Sequence, residues 1–142
     1  MISIREIDHV VIRARDQERL VRFYCDVVGC SVDRRRDAIG LVQLRAGRSL
    51  IDIVAVDGTL GRKGGAPPGR EGHNMDHLCL RVEPFDAEAI RAHLDAHGVR
   101  VEDAGMRYGA EGEGYSLYIS DPEGNIVELK GPAQATVTDA PT

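Results

Sequence analysis

Ile7-Asp8-His9-Val10-Val11-Ile12 and Met75-Asp76-His77-Leu78-Cys79-Leu80 are two copies of one short pattern, an apolar run carrying an Asp-His pair. Side chains alternate across a strand, so His9 shares a face with Ile7 and Val11, and His77 shares one with Met75 and Cys79. The chain after each copy repeats too. Asp16 is suited to N-cap a helix through Leu20, Phe23, Tyr24, Val27 and Val28 that Gly29 stops. Asp86 opens its counterpart through Ala87, Ile90 and Leu94, which Gly98 stops. Three strand-like runs then follow in each half: 31–36, 40–45 and 49–56 in the first, 99–106, 115–120 and 125–130 in the second. Asp121-Pro122-Glu123-Gly124 supplies the turn between the last two.

Each half therefore reads βαβββ, and the expected fold class is α+β: two tandem βαβββ modules forming a concave mixed sheet, with helices on the opposite face. The expected organisation is a single domain with module one at 4–56, a linker at 57–74, module two at 75–131 and a flexible tail at 132–142. The linker is rich in Gly and Pro, and the segment 107–114, with Gly109, Gly112 and Gly114, reads as a second loop. Loops of this length inside compact domains serve as lids or binding segments more often than as plain connections.

The 142 residues are 42% hydrophobic, enough for a real core, and Lys+Arg 18 against Asp+Glu 23 gives a net charge of −5. Interspersed charges of this balance argue against a nucleic-acid partner. No apolar run reaches membrane-spanning length, and a charged pair at Arg5-Glu6 comes too early for a secretory signal. Cys25, Cys30 and Cys79 are odd in number and lack metal-type spacing, so a reducing cytoplasm is the expected compartment.

The last strand of each half carries an acid in an apolar run: Asp52 in Leu50-Ile51-Asp52-Ile53-Val54, and Glu128 in Ile126-Val127-Glu128-Leu129. A carboxylate turned into apolar surroundings is costly unless it is paired, protonated or bound to a cation, although exposure at a sheet edge removes that cost. Two imidazoles and two carboxylates suit a divalent ion of borderline hardness, Zn, Ni, Mn, Fe or Co. His93 and His97 sit on a helix flank and His73 in the linker, with weaker claims to a metal. Cys79 reads as a pocket-lining hydrophobe rather than a nucleophile. Arg13, Arg81, Arg107, Tyr115 and Lys130 are candidates to hold a substrate, with Arg107 and Tyr115 first because they flank the second glycine-rich segment.

These motifs, and above all the run from Gly114 through Asp121-Pro122-Glu123-Gly124 to Leu129, resemble the vicinal oxygen chelate superfamily over residues 4 to 131. That superfamily includes glyoxalase I, methylmalonyl-CoA epimerase, fosfomycin-resistance proteins, extradiol dioxygenases and bleomycin-resistance proteins. The resemblance implies that His9, His77 and Glu128 occupy metal-ligand positions, and that Asp52 stands where glyoxalase I and the epimerase carry Glu or Gln. Aspartate is one methylene shorter, so either the strand shifts, a water bridges, or Asp52 is not a ligand.

The expected function is a metal-dependent, glyoxalase I-like lyase or isomerase. It would act on a small substrate with vicinal oxygens through a metal-stabilised enediolate, with Glu128 moving the proton. The alternatives are a fosfomycin-type thiol transferase and a metal-free drug- or metabolite-binding protein of the bleomycin-resistance type. The resemblance further implies a homodimer with a small-molecule substrate.

Overall fold

The computed structural model describes residues 1–134, which fall into two compact units, one ending at Asn74 and the other starting at Met75. Both units have the expected βαβββ order.

In the first unit, β1 (His9–Ala14) leads into α1 (Gln17–Phe23), and β2 (Ser31–Arg36), β3 (Leu41–Ala46) and β4 (Ser49–Ala55) follow. The Asp16 carboxylate accepts from the Arg19 amide and caps α1 as its position predicts. One π-helical turn, Tyr24–Val28, extends α1 to Gly29, whose left-handed φ of 94° ends it. The sheet order is β1-β4-β3-β2, with β1 parallel to β4 and the other pairs antiparallel. Ile12, Val42, Leu44, Ile51 and Ile53 meet Leu20, Val21 and Tyr24 as the core. His9, Val11, Asp52 and Gln43 occupy the opposite face by register.

The second unit repeats the plan: β5 (Leu78–Arg81), α2 (Ala87–Ala96), β6 (Asp103–Gly109), β7 (Gly112–Ser120) and β8 (Ile126–Ala133), in sheet order β5-β8-β7-β6. Asp86 caps α2 through the Ala89 amide. Leu94, Leu117, Ile119, Val127 and Leu129 form its core.

Two expectations change. The glycine-rich run 107–114 is no loop: β6 continues to Gly109 and β7 begins at Gly112, so Ala110 and Glu111 alone turn a tight hairpin. The tail begins later than 132, because Pro132 and Ala133 belong to β8 and the Gln134 amide donates to Glu113 O at 2.7 Å. The remainder of that tail, 135–142, lies outside the described residues.

The segment 57–74 carries one short 3₁₀ turn, Gly61–Gly64, and is tied to the free edge of β1. The Asn74 side chain accepts from Arg13 N at 3.3 Å and donates to Arg13 O at 3.0 Å, standing in for a neighbouring strand. The Arg13 guanidinium donates to the carbonyls of Gly64, Gly65 and Ala66, and Arg15 Nε donates to Pro68 O. Replacing Asn74 with Ala removes both edge bonds. The expected loss is about 1–2 kcal/mol in urea unfolding, with amide-exchange protection falling in 61–74 ahead of the core strands.

Candidate functional site

In each unit the histidine at the start of the first strand or just before it shares a face with the carboxylate of the last strand, because first and last strands are parallel neighbours. Cys79 pairs with Glu128 in the β5–β8 register, and His77 precedes it by one alternation on the same face. His77 Nε2 lies 3.1 Å from Glu128 Oε1. The other ring nitrogen, Nδ1, is 2.6 Å from Asp76 Oδ1, which fixes Nε2 as the nitrogen presented to the site. The Asp76 hydrogen bond is the main reason the His77 imidazole titrates above its ordinary value, with burial opposing and the Glu128 charge adding to the rise.

Glu128 is 5% exposed and is the centre of a polar cluster. Ser116 Oγ donates to its Oε2 at 2.6 Å, and the Tyr118 hydroxyl and Cys79 thiol also hydrogen-bond it. Burial pushes the Glu128 carboxyl up, but the Ser116 and Tyr118 bonds and the charges of His77 and Lys130 outweigh it and leave the group below its usual value. The Cys79 thiol is pushed up to about 11, chiefly by desolvation and then by Glu128, so it is a protonated donor and not an activated nucleophile.

The first unit builds a looser version. His9 Nδ1 is 2.7 Å from Asp8 Oδ1, matching the Asp76–His77 arrangement. This bond and the nearby Asp52 charge raise the His9 value. Asp52 is 5% exposed, opposite Val11 and Gln43 in the register, and both its oxygens accept from Gln43 Nε2 at 3.3 Å. His73, Arg13 and Asn74 line a cleft of about 460 Å³ against Val11.

The donor set fits a divalent ion by its chemistry. Ligands held about 2.0–2.1 Å from a tetrahedral ion stand about 3.3 Å from each other, close to the separation of His77 Nε2 and Glu128 Oε1. Both histidines have Nδ1 engaged by the preceding aspartate, leaving Nε2 as the ligating nitrogen. Among the described residues, no group of three or more His, Cys, Asp or Glu side chains is arranged to hold a metal ion.

Of the two leading substrate candidates, Arg107 lies on the Glu128 face, its guanidinium 5.5 Å from the Tyr118 ring centroid and 3.2 Å from Asp103 Oδ2. Tyr115 points the other way: its hydroxyl accepts from Arg91 of α2 at 3.2 Å, and its ring stacks edge-on against Phe85. Tyr115 alternates in phase with the core residues Leu117 and Ile119, so the face it shares is the helix side. Sequence reading passed over Ser116 and Tyr118, although their alternation with those apolar residues was the available signal. His93 and His97 are exposed on α2, with ring centroids 4.5 Å apart.

Comparison with known proteins agrees with this architecture. The family model described as "Glyoxalase/Bleomycin resistance protein/Dioxygenase superfamily" matches residues 6–129. The glyoxalase domain-containing protein RDO1 of Mycosarcoma maydis is 28% identical over 137 residues, covering 90% of this chain and 69% of that protein. Virulence protein STM3117 of Salmonella typhimurium is 30% identical over 128 residues, covering 89% of this chain and 83% of its own length. Its crystal structure superposes with a TM-score of 0.78 at 26% identity, covering 93% of this chain and all (100%) of that one. A lactoylglutathione lyase from Agrobacterium tumefaciens shares the fold, with a TM-score of 0.66, 23% identity and coverage of 91% and 95%. Among the described residues, no helix is long and apolar enough to cross a membrane.

Proposed function

Because the chain belongs to the Glyoxalase/Bleomycin resistance protein/Dioxygenase superfamily, we propose that it is a divalent-metal-dependent lyase or isomerase of the glyoxalase I type, acting on a small substrate with vicinal oxygens. The observation that carries this reading is the 3.1 Å approach of His77 Nε2 to a buried Glu128 that other hydrogen bonds already hold in place. In this reading His77 and Glu128, with His9 and Asp52 from the first unit, are the ligands. A bound Zn, Ni, Mn, Fe or Co ion would supply Lewis-acid polarisation of the substrate oxygens.

The chain's own groups have separate tasks. Asp8 and Asp76 orient the imidazoles through Nδ1. Glu128, kept ionised by Ser116, Tyr118 and Lys130, takes a proton from one substrate carbon through a carboxylate oxygen and returns it to the next. Arg107, stacked over Tyr118, orients the substrate on the same face. The working assembly is a homodimer, as the resemblance implies.

The test is turnover of the methylglyoxal–thiol hemithioacetal with each of the five ions in turn. Turnover is expected with at least one ion and should be lost on adding chelator. Glu128→Gln should lower kcat by about 100-fold or more, the range for removing a general base. No turnover with any ion rules this activity out.

A further inference from the structure

His93 and His97 stand one turn apart at the end of α2, and both are exposed. Residues four apart on a helix are neighbours on one face, and here the rings meet, with centroids 4.5 Å apart and planes inclined at 50°. His97 Nδ1 is 2.9 Å from the main-chain oxygen of His93. A carbonyl only accepts, so Nδ1 carries the proton and the neutral ring keeps its lone pair on Nε2. Ligating histidines are commonly held in this way, by a backbone carbonyl on the nitrogen that does not ligate.

The ring separation is the one chelation asks for. A nitrogen about 2.0–2.1 Å from an ion puts its ring centre about 3.2 Å from that ion, and two such rings at 90° have centres about 4.5 Å apart. Adjacent positions at 90° belong to the square-planar and tetragonal coordination of nickel and copper. The 50° inclination sets the pair apart from a face-to-face stack. Local charge favours a cation as well. From Met75 to Gln134 acidic residues outnumber basic ones twelve to five, and α2 ends at His97, where its dipole presents the negative end.

We propose that His93 and His97 form a separate divalent-metal site on the surface of the second unit, taking Ni²⁺ or Cu²⁺ through two imidazole nitrogens with water in the other positions. It lies on the helix side of the sheet, away from the face that carries Glu128, and does not depend on the centre proposed there. With two protein ligands it holds its ion more weakly than a centre with four. The ion joins His93 to His97 across the last turn of α2, so binding fastens the end of that helix.

The test titrates the full chain with Ni²⁺ in the His77→Ala background, which removes a donor of the other centre, and follows binding by calorimetry. One equivalent that depends on His93 and His97 is expected to bind saturably. Adding His93→Gln or His97→Gln should weaken it at least about tenfold. The thermal unfolding midpoint should rise with added Ni²⁺ in His77→Ala and stay unmoved in either double variant, since an ion that binds the folded chain stabilises it by mass action. Both side chains are exposed, so these variants keep the core intact. Absence of saturable binding, or binding unchanged in either double variant, overturns the proposal. Metal content of wild type against His77→Ala reports on the other centre alone, so each site can fail while the other stands.

Discussion

Replacing His77 with alanine is expected to lower the divalent-metal affinity of the purified protein by more than about 100-fold, and Asp76→Asn by about 10- to 100-fold. The order follows from geometry. His77 supplies the nitrogen that faces Glu128, whereas Asp76 acts through the other ring nitrogen and only aims it. Elemental analysis of protein purified without added ions, followed by competition with a chelator of known affinity, measures both. His9→Ala should also lose metal, because the same Asp-His pairing recurs in the first unit. Metal retained at wild-type level in His77→Ala would refute the ligand assignment, whatever the fate of activity.

The largest expected stability effect lies in the turn before Glu128. Asp121 is 5% exposed, and its carboxylate accepts from the amides of Glu123 and Asn125 at 2.9 Å each and from Asn125 Nδ2 at 2.8 Å. Asp121→Ala leaves three donors without this acceptor at the start of β8, at about 1–3 kcal/mol for each that stays buried. A total near 3 kcal/mol is expected in urea unfolding, with some donors recovered by water. Asp121→Asn keeps one acceptor oxygen and should lose less. The turn also sets the β7–β8 register, and a slip of one residue would turn Glu128 to the helix side. Metal binding in Asp121→Ala should therefore fall along with stability.

Much of this was legible because it rests on short-range chemistry. The helix caps at Asp16 and Asp86, the glycine stop at Gly29 and the strand Ser31–Arg36 all follow from residue type and spacing. The meeting of His77 with Glu128 was legible for a different reason: the repeat placed each histidine on a first strand and each acid on a last one. What escaped had two-sided causes. Gly109 and Gly114 read as loop residues because composition does not say that atoms of another strand occupy the space they leave. Gly114 is closed in by backbone, since a Cβ there would lie 2.7 Å from Pro132 O, and Pro132 itself sits in β8. Tyr115 was assigned by its nearness to the glycines, although phase with Leu117 decides which face a strand residue takes.

The parallel closure of each unit, first strand beside last, bears on how the protein is made. The contacts that bring a histidine to its acid span nearly a whole module, so they carry the largest loop-closure cost and belong to the late part of the folding reaction. On a ribosome the first pair can form once β4 has emerged, whereas the second must wait for β8. A chain released before β8 keeps His77 but has no Glu128 to set beside it. Assembly of the proposed metal site is thereby tied to the synthesis of β8, and a product truncated before it would carry three of the four proposed donors.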